Sequence, residues 1–233
     1  ANTIYGQKGN DILKGAAGHD TYVFRVGDGQ DVITDEYGID SIQFLQDFKN
    51  NSYTFERSRN DLIIYYGTND QIKIEDQFNS KVLDYIKFND NIQIDISWAG
   101  GLQENTWHTS AFSSNATFQK KDNNLIISDG GGHFILKNVF DTTKPQICTQ
   151  LNLKVGTITS LQKLSDIRTV LNQGNNLRGL IDGTYQLSDF LQKKLLVYQE
   201  DGQKKIIGTD GTETIEGDAG ANTIYGLKGN DTL

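Results

Sequence analysis

Carboxylates recur in this chain at a spacing that suits a hard cation. Gly6, Gly9, Asp11 and Leu13 form one nine-residue unit, and Gly15, Gly18, Asp20 and Tyr22 form the next in the same register. After an inserted pair, Phe24 and Arg25, the pattern resumes with Gly27, Gly29, Asp31 and Ile33, and then with Gly38, Asp40 and Ile42. The far end repeats it with Gly211, Glu213 and Ile215, then Gly220, Asn222 and Ile224, then Gly229, Asp231 and Leu233. Each acid or amide is followed two positions later by one apolar residue. A flexible loop with an Asp, alternating with a single inward-facing side chain, is a combination an ordinary Gly-rich linker does not keep.

Such a unit makes a half-turn, and two make one coil of a parallel β-roll of about 18 residues with its loops stacked in columns. Counting one coil plus the inserted pair, Asp11 is expected to face Asp31 and Asp20 to face Asp40. Asn2 stacks below Asp20. Glu213 is expected to face Asp231, although Glu is longer than the usual Asp, and the partner of Asn222 falls past residue 233. Calcium takes six to eight oxygens at about 2.3–2.6 Å, a density that stacked carboxylates and carbonyls can supply. The expected ligand set is Asp11, Asp20, Asp31, Asp40, Glu213 and Asp231, with the loop glycines Gly6, Gly9, Gly15, Gly18, Gly27, Gly29 and Gly38.

These nonapeptides resemble the haemolysin-type calcium-binding repeats of RTX proteins. Residues 21–44, TYVFRVGDGQDVITDEYGIDSIQF, are similar to the passage from such repeats into the haemolysin-type calcium-binding-related region. The resemblance implies a calcium-binding structural module of a toxin, adhesin or exoenzyme. It also implies export by type I secretion from a Gram-negative bacterium and folding on extracellular calcium.

The elements that must position these loops show two further repeats. ANTIYGQKGNDIL at 1–13 returns as ANTIYGLKGNDTL at 221–233, which suggests one period of a longer array. Residues 54–78 and 117–140 share Thr-Phe, a later Asn, Leu-Ile-Ile, a Gly and a closing Phe, and read as two small antiparallel meanders. A weaker echo is Leu195–Tyr198, a turn at 200–203, and Ile206-Ile207. Leu161, Leu164, Ile167 and Leu171 predict a helix, with Thr159 and Gln162 at capping-box spacing and Gly174 as its stop. Residues 188–194 read as a second short helix. The expected fold is mainly β: parallel β-roll segments at both ends, flanking antiparallel meanders with one or two helices. Its divisions are a first roll at 1–44, two meander units at 45–141, a helix-containing return to β at 142–207, and a truncated second roll at 208–233.

Composition narrows the function classes. The 233 residues carry 22 Lys+Arg against 30 Asp+Glu, a net charge of -8, which argues against a nucleic-acid partner and for cations. No apolar run approaches the ~20 residues of a membrane span. The absence of Met and of a charged, then apolar, opening segment reads as an excised piece with no amino-terminal secretory signal. One cysteine, Cys148, excludes an internal disulfide framework and a paired-thiolate zinc site. Catalysis would need Cys148 beside His108 or His133, so the chain is expected not to be an enzyme; His19 sits in a repeat loop as a bystander. A second reading makes the middle region the functional part, with Trp98 and Trp107 as a stacking platform for a glycan or a protein partner, against the commoner fate of Trp in a core.

Overall fold

The computed structural model describes residues 1–96 except 81, 106–155 except 110, 111 and 114, and then 158–165, 167, 168, 171, 185, 186, 196–200, 203–208, 214, 215, 217, 219, 220, 222–226 and 230–232. The chain is mainly β, with mixed parallel and antiparallel sheets. Its first five strands are short because a Gly-rich loop interrupts each after two to four residues: β1 (Thr3–Tyr5), β2 (Ile12–Leu13), β3 (Thr21–Phe24), β4 (Gln30–Ile33) and β5 (Ser41–Phe44). They alternate between two sheets. In one, β1, β3 and β5 run parallel with Thr3 opposite Thr21 and Thr21 opposite Ser41; in the other, β2 runs parallel to β4 with Ile12 opposite Val32.

The alternation continues through the middle of the chain with triplets in place of single strands. Antiparallel β6 (Ser52–Ser58), β7 (Asp61–Tyr66) and β8 (Asp70–Ile74) join the second sheet, where β8 lies parallel to β4. Next, β9 (Tyr85–Lys87), β10 (Gln93–Asp95) and β11 (Thr106–Thr109) join the first sheet through β9 on β5. A second triplet, β12 (Thr117–Lys121), β13 (Asn124–Asp129) and β14 (Gly132–Leu136), returns to the second sheet with β14 parallel to β6. The hairpin β15 (Gln150–Val155) and β16 (Ile158–Lys163) then goes back to the first sheet beside β11, and β17 (Tyr185–Gln186) edges the second against β12. Arg59 and Asp122 open the tight first turns of the two related triplets with φ of 58° and 54°.

Period-2 patterning in the triplets turns one side chain in two toward the opposite sheet, as in β7, where Leu62, Ile64 and Tyr66 are buried and their neighbours are not. One core cluster runs from Leu13 to Leu171. Phe44 ties the repeat strands to it, with ring centroids 4.8 Å from Tyr53, 5.0 Å from Tyr66 and 5.5 Å from Phe88. Trp107 is 1% exposed and meets Phe55 edge-on at 5.5 Å, so it packs the core and offers no stacking platform. Trp98 lies outside the described residues.

The helix begins later than expected. Thr159, Leu161 and Gln162 belong to β16, because pairing with β15 satisfies their backbone groups and overrides the capping-box pattern. Leu164, Ser165, Ile167, Arg168 and Leu171 are helical, and the buried Leu164, Ile167 and Leu171 face the core. Gly174 and residues 188–194 lie outside the described residues. A third sheet holds the hairpin β18 (Leu196–Glu200) and β19 (Gln203–Ile207), with β20 (Asn222–Tyr225) parallel to β19.

Candidate metal centre

Strand register in the first two sheets stacks the acids into two columns. The Asp11 N–H donates to Asp31 Oδ1 at 2.9 Å, and the Asp20 N–H donates to Asp40 Oδ1 at 2.7 Å. Each column then extends into residues outside the repeats. The Asp40 N–H donates to Asp84 Oδ2 at 3.1 Å, and Asp70 accepts from the Gly27 and Gly29 N–H groups at 2.9 and 3.1 Å. Below, the Asn2 N–H donates to Asp20 Oδ1 at 2.5 Å. Asp20, Asp31 and Asp40 therefore each cap a backbone N–H of the preceding coil with one oxygen, whereas Asp70 uses both of its oxygens on the Gly27 and Gly29 N–H groups.

The loops approach closely enough to exclude side chains. A Cβ built on Gly38 would lie 1.7 Å from the Gly18 carbonyl oxygen, and one on Gly29 would lie 2.0 Å from that of Gly9. At Gly15 the obstacle is the site itself: a Cβ would come within 2.6 Å of Asp20 Oδ2, 2.7 Å of Asp35 Oδ2 and 2.8 Å of the Tyr22 hydroxyl. Gly6 stands in the same relation to Asp11, at 3.3 Å. Oxygen atoms of Asp20, Asp35 and Asp40 all lie within 4.8 Å of one another, and the Tyr22 hydroxyl donates to Asp35 at 2.5 Å.

Asp35, Asp70 and Asp84 were not among the expected ligands. Asp35 had a sequence signal: it stands five residues before Asp40, the place Gly6 and Gly15 hold before Asp11 and Asp20. Asp84 precedes β9 as Asp20 precedes β3 and Asp40 precedes β5, a likeness visible only once the register is known. Asp70 had no such signal.

The electrostatics are those of a site short of positive charge. Asp20, Asp31 and Asp40 are each 1% exposed. Among the described residues no Lys or Arg forms an ion pair with Asp11, Asp31, Asp35 or Asp40. The Ala1 amino group stands 3.9 Å from Asp20 Oδ1. Oδ2 of Asp11, of Asp20 and of Asp31 is buried without a hydrogen-bond partner among the described residues. Burial raises the Asp31 carboxyl above its ordinary 3.8 against the Asp11 N–H, with Asp11, Asp28 and Asp70 adding to the rise. Burial likewise raises Asp40 against the Asp20 N–H, helped by Asp35, Asp20 and Asp84. Buried carboxylate oxygens with no partner fit a hard divalent cation, and Asp20, Asp35 and Asp40 in one column and Asp11 and Asp31 in the other are the side chains that could hold it.

The sign of the pH dependence follows. A carboxyl whose folded pKa is raised binds protons more tightly in the native state, so its burial costs stability at neutral pH and the cost disappears as pH falls through the raised value toward 3.8. Asp76 and Asp141, depressed by Asn79 and by Thr143 respectively, act oppositely but only below 3.8. In EGTA, the urea midpoint is expected to rise as pH is lowered from neutrality toward 3.8; a midpoint that only falls over that range would contradict the assignment.

At the far end Asp231 lies under Gly226, where a Cβ would come within 2.6 Å of its carboxylate, and Thr214 bridges in parallel to Thr232. Glu213 lies outside the described residues. Elsewhere, His19 Nδ1 accepts from the Ile39 N–H at 3.0 Å, His108 meets Asn152 at 3.0 Å and His133 meets Ser128 at 2.8 Å. Cys148 is 1% exposed, and burial pushes its thiol well up. Labelling by a thiol reagent is expected to be negligible in the native protein and complete in guanidinium; fast native labelling would show the thiol to be open.

Residues 1–22 and 207–233 match the family model of the RTX calcium-binding nonapeptide repeat, in four copies. No curated protein was found to match the chain. No helix among the described residues is long and apolar enough to cross a membrane.

Proposed function

We propose that the chain is a calcium-binding structural module of a secreted RTX protein, with parallel β-roll segments at 1–44 and 208–233 and the strand triplets between them as a scaffold. The observation that carries the reading is the set of buried Asp oxygens at Asp11, Asp20 and Asp31 that have no partner. Stacked carboxylates repel one another until divalent ions neutralise them, so ion binding and folding of the roll are coupled. Extracellular calcium would then signal folding after export by type I secretion. The module needs no catalytic group, and the raised Cys148 thiol suits packing better than nucleophilic chemistry.

Calcium added to the EGTA-treated chain is expected to increase β-type circular dichroism with a saturable dependence. A spectrum unchanged from EGTA to millimolar calcium would count against the proposal. A binding role for the middle region draws no support from Trp107, which is in the core.

A further inference from the structure

The column of Asp11 and Asp31 ends against an apolar residue. Ile72 of β8 stands opposite Asp31, at the place where a further acid would follow. In the other column that place is kept by an acid: Tyr85 pairs with Ser41, and Asp84 accepts from the Asp40 N–H. Asp70 enters the first column two residues before Ile72 and spends both oxygens on backbone. Its Oδ2 accepts from the Gly27 N–H at 2.9 Å and its Oδ1 from the Gly29 N–H at 3.1 Å. One carboxylate thus fixes a backbone that glycine alone adopts readily, with φ of 93° at Gly27 and 108° at Gly29.

What holds Asp70 is independent of any ion. The residue is 7% exposed and opens β8 after the turn from β7, where Gly67 has φ of 61° and a Cβ would lie 2.3 Å from Asp70 Oδ2. Leu62, Ile64, Tyr66, Ile72 and Ile74 anchor the same hairpin in the core. The loop that Asp70 grips is in turn the surface on which the first loop is laid. The Asp28 carbonyl accepts from the Gly9 N–H at 2.8 Å, Asn10 Oδ1 accepts from the Gln30 N–H at 2.9 Å, and Asp31 Oδ1 accepts from the Asp11 N–H at 2.9 Å.

We infer that Asp70 is a positioning residue for calcium: from the β7–β8 turn it presets residues 27–31, so that Asp31 is in place before the ion arrives. Asp70 binds no ion itself. It lowers the cost of ordering the loop, a cost that would otherwise be subtracted from the binding free energy. The inference rests on the calcium reading of the Asp11 and Asp31 column.

The test compares the native chain with two variants. In Asp70→Asn the amide nitrogen must face one of the two N–H donors; Gly67→Ala crowds the Asp70 carboxylate without altering charge. Amide exchange in EGTA reads the loop. Calcium titration followed by NMR at the Asp11 and Asp31 amides, and at those of Asp20 and Asp40, reads the two columns separately. In both variants at least one of the Gly27 and Gly29 amides is expected to exchange about tenfold faster or more. The calcium midpoint at Asp11 and Asp31 is expected to rise roughly fivefold or more, while that at Asp20 and Asp40 stays within about twofold. Equal shifts in the two columns, which a general loss of stability would give, would overturn the positioning role. So would a shift in Asp70→Asn alone, which would trace to its lost charge, or a midpoint unmoved in both variants. If no amide of the native chain responds to calcium, the calcium reading fails; faster Gly27 or Gly29 exchange in the variants would then still support Asp70 as the holder of the loop.

Discussion

Stripping calcium with EGTA is expected to lower the thermal midpoint of the protein by roughly 8–16 °C for each site saturated at about a thousand times its dissociation constant. Ligand that binds only the native state contributes about 4 kcal/mol at that excess. For a chain of this size, 1 kcal/mol corresponds to about 2–4 °C. The loss should concentrate in β1 to β5, because Asp20, Asp31 and Asp40 are buried there without a cationic side chain, whereas the triplets rest on Phe44, Tyr53, Tyr66 and Phe88. Amide exchange in EGTA should therefore open residues 1–44 before β6 to β8. Uniform opening, or a midpoint indifferent to EGTA, would contradict this division of stabilities.

Asp20→Asn is expected to change stability in opposite directions with and without calcium. In EGTA the substitution removes one of three carboxylates whose oxygens lie within 4.8 Å of one another, and the amide oxygen still accepts from the Asn2 N–H, so the apo protein gains stability. In calcium it removes a charged ligand and weakens binding at least tenfold, about 1.4 kcal/mol. Denaturation curves of the two proteins should thus exchange order between the two conditions. A purely structural role for Asp20 would lower stability in both.

Much of the site was legible before the structure because nonapeptide register carries both the apolar residue and the acid. Asp11 lies against Asp31 and Asp20 against Asp40 because the inserted Phe24 and Arg25 lengthen the coil by two, a shift that can be counted. Asp84 and Asp70 could not be counted this way. They reach the columns through β9 and β8, whose parallel pairing sets Ser41 opposite Tyr85 and Gln30 opposite Gln71, far apart in the chain. Thr159 and Gln162 misled for a different reason: their local helix signal was outcompeted by pairing to β15, which no local pattern reports. The related segments at 54–78 and 117–140 gave the strands themselves, but not that each triplet takes the place of a single strand in the alternation between two sheets.

Calorimetric titration of the EGTA-treated, dialysed chain with calcium, beside the Asp20→Asn/Asp31→Asn double variant, tests the assignment of the ion to these columns most directly. The expected result is saturable heat in the native sequence and, in the variant, at least a tenfold loss of affinity or the loss of sites. Each column loses one of the carboxylates with an unpartnered oxygen. No saturable heat in the native sequence, or the same isotherm in both proteins, would contradict it.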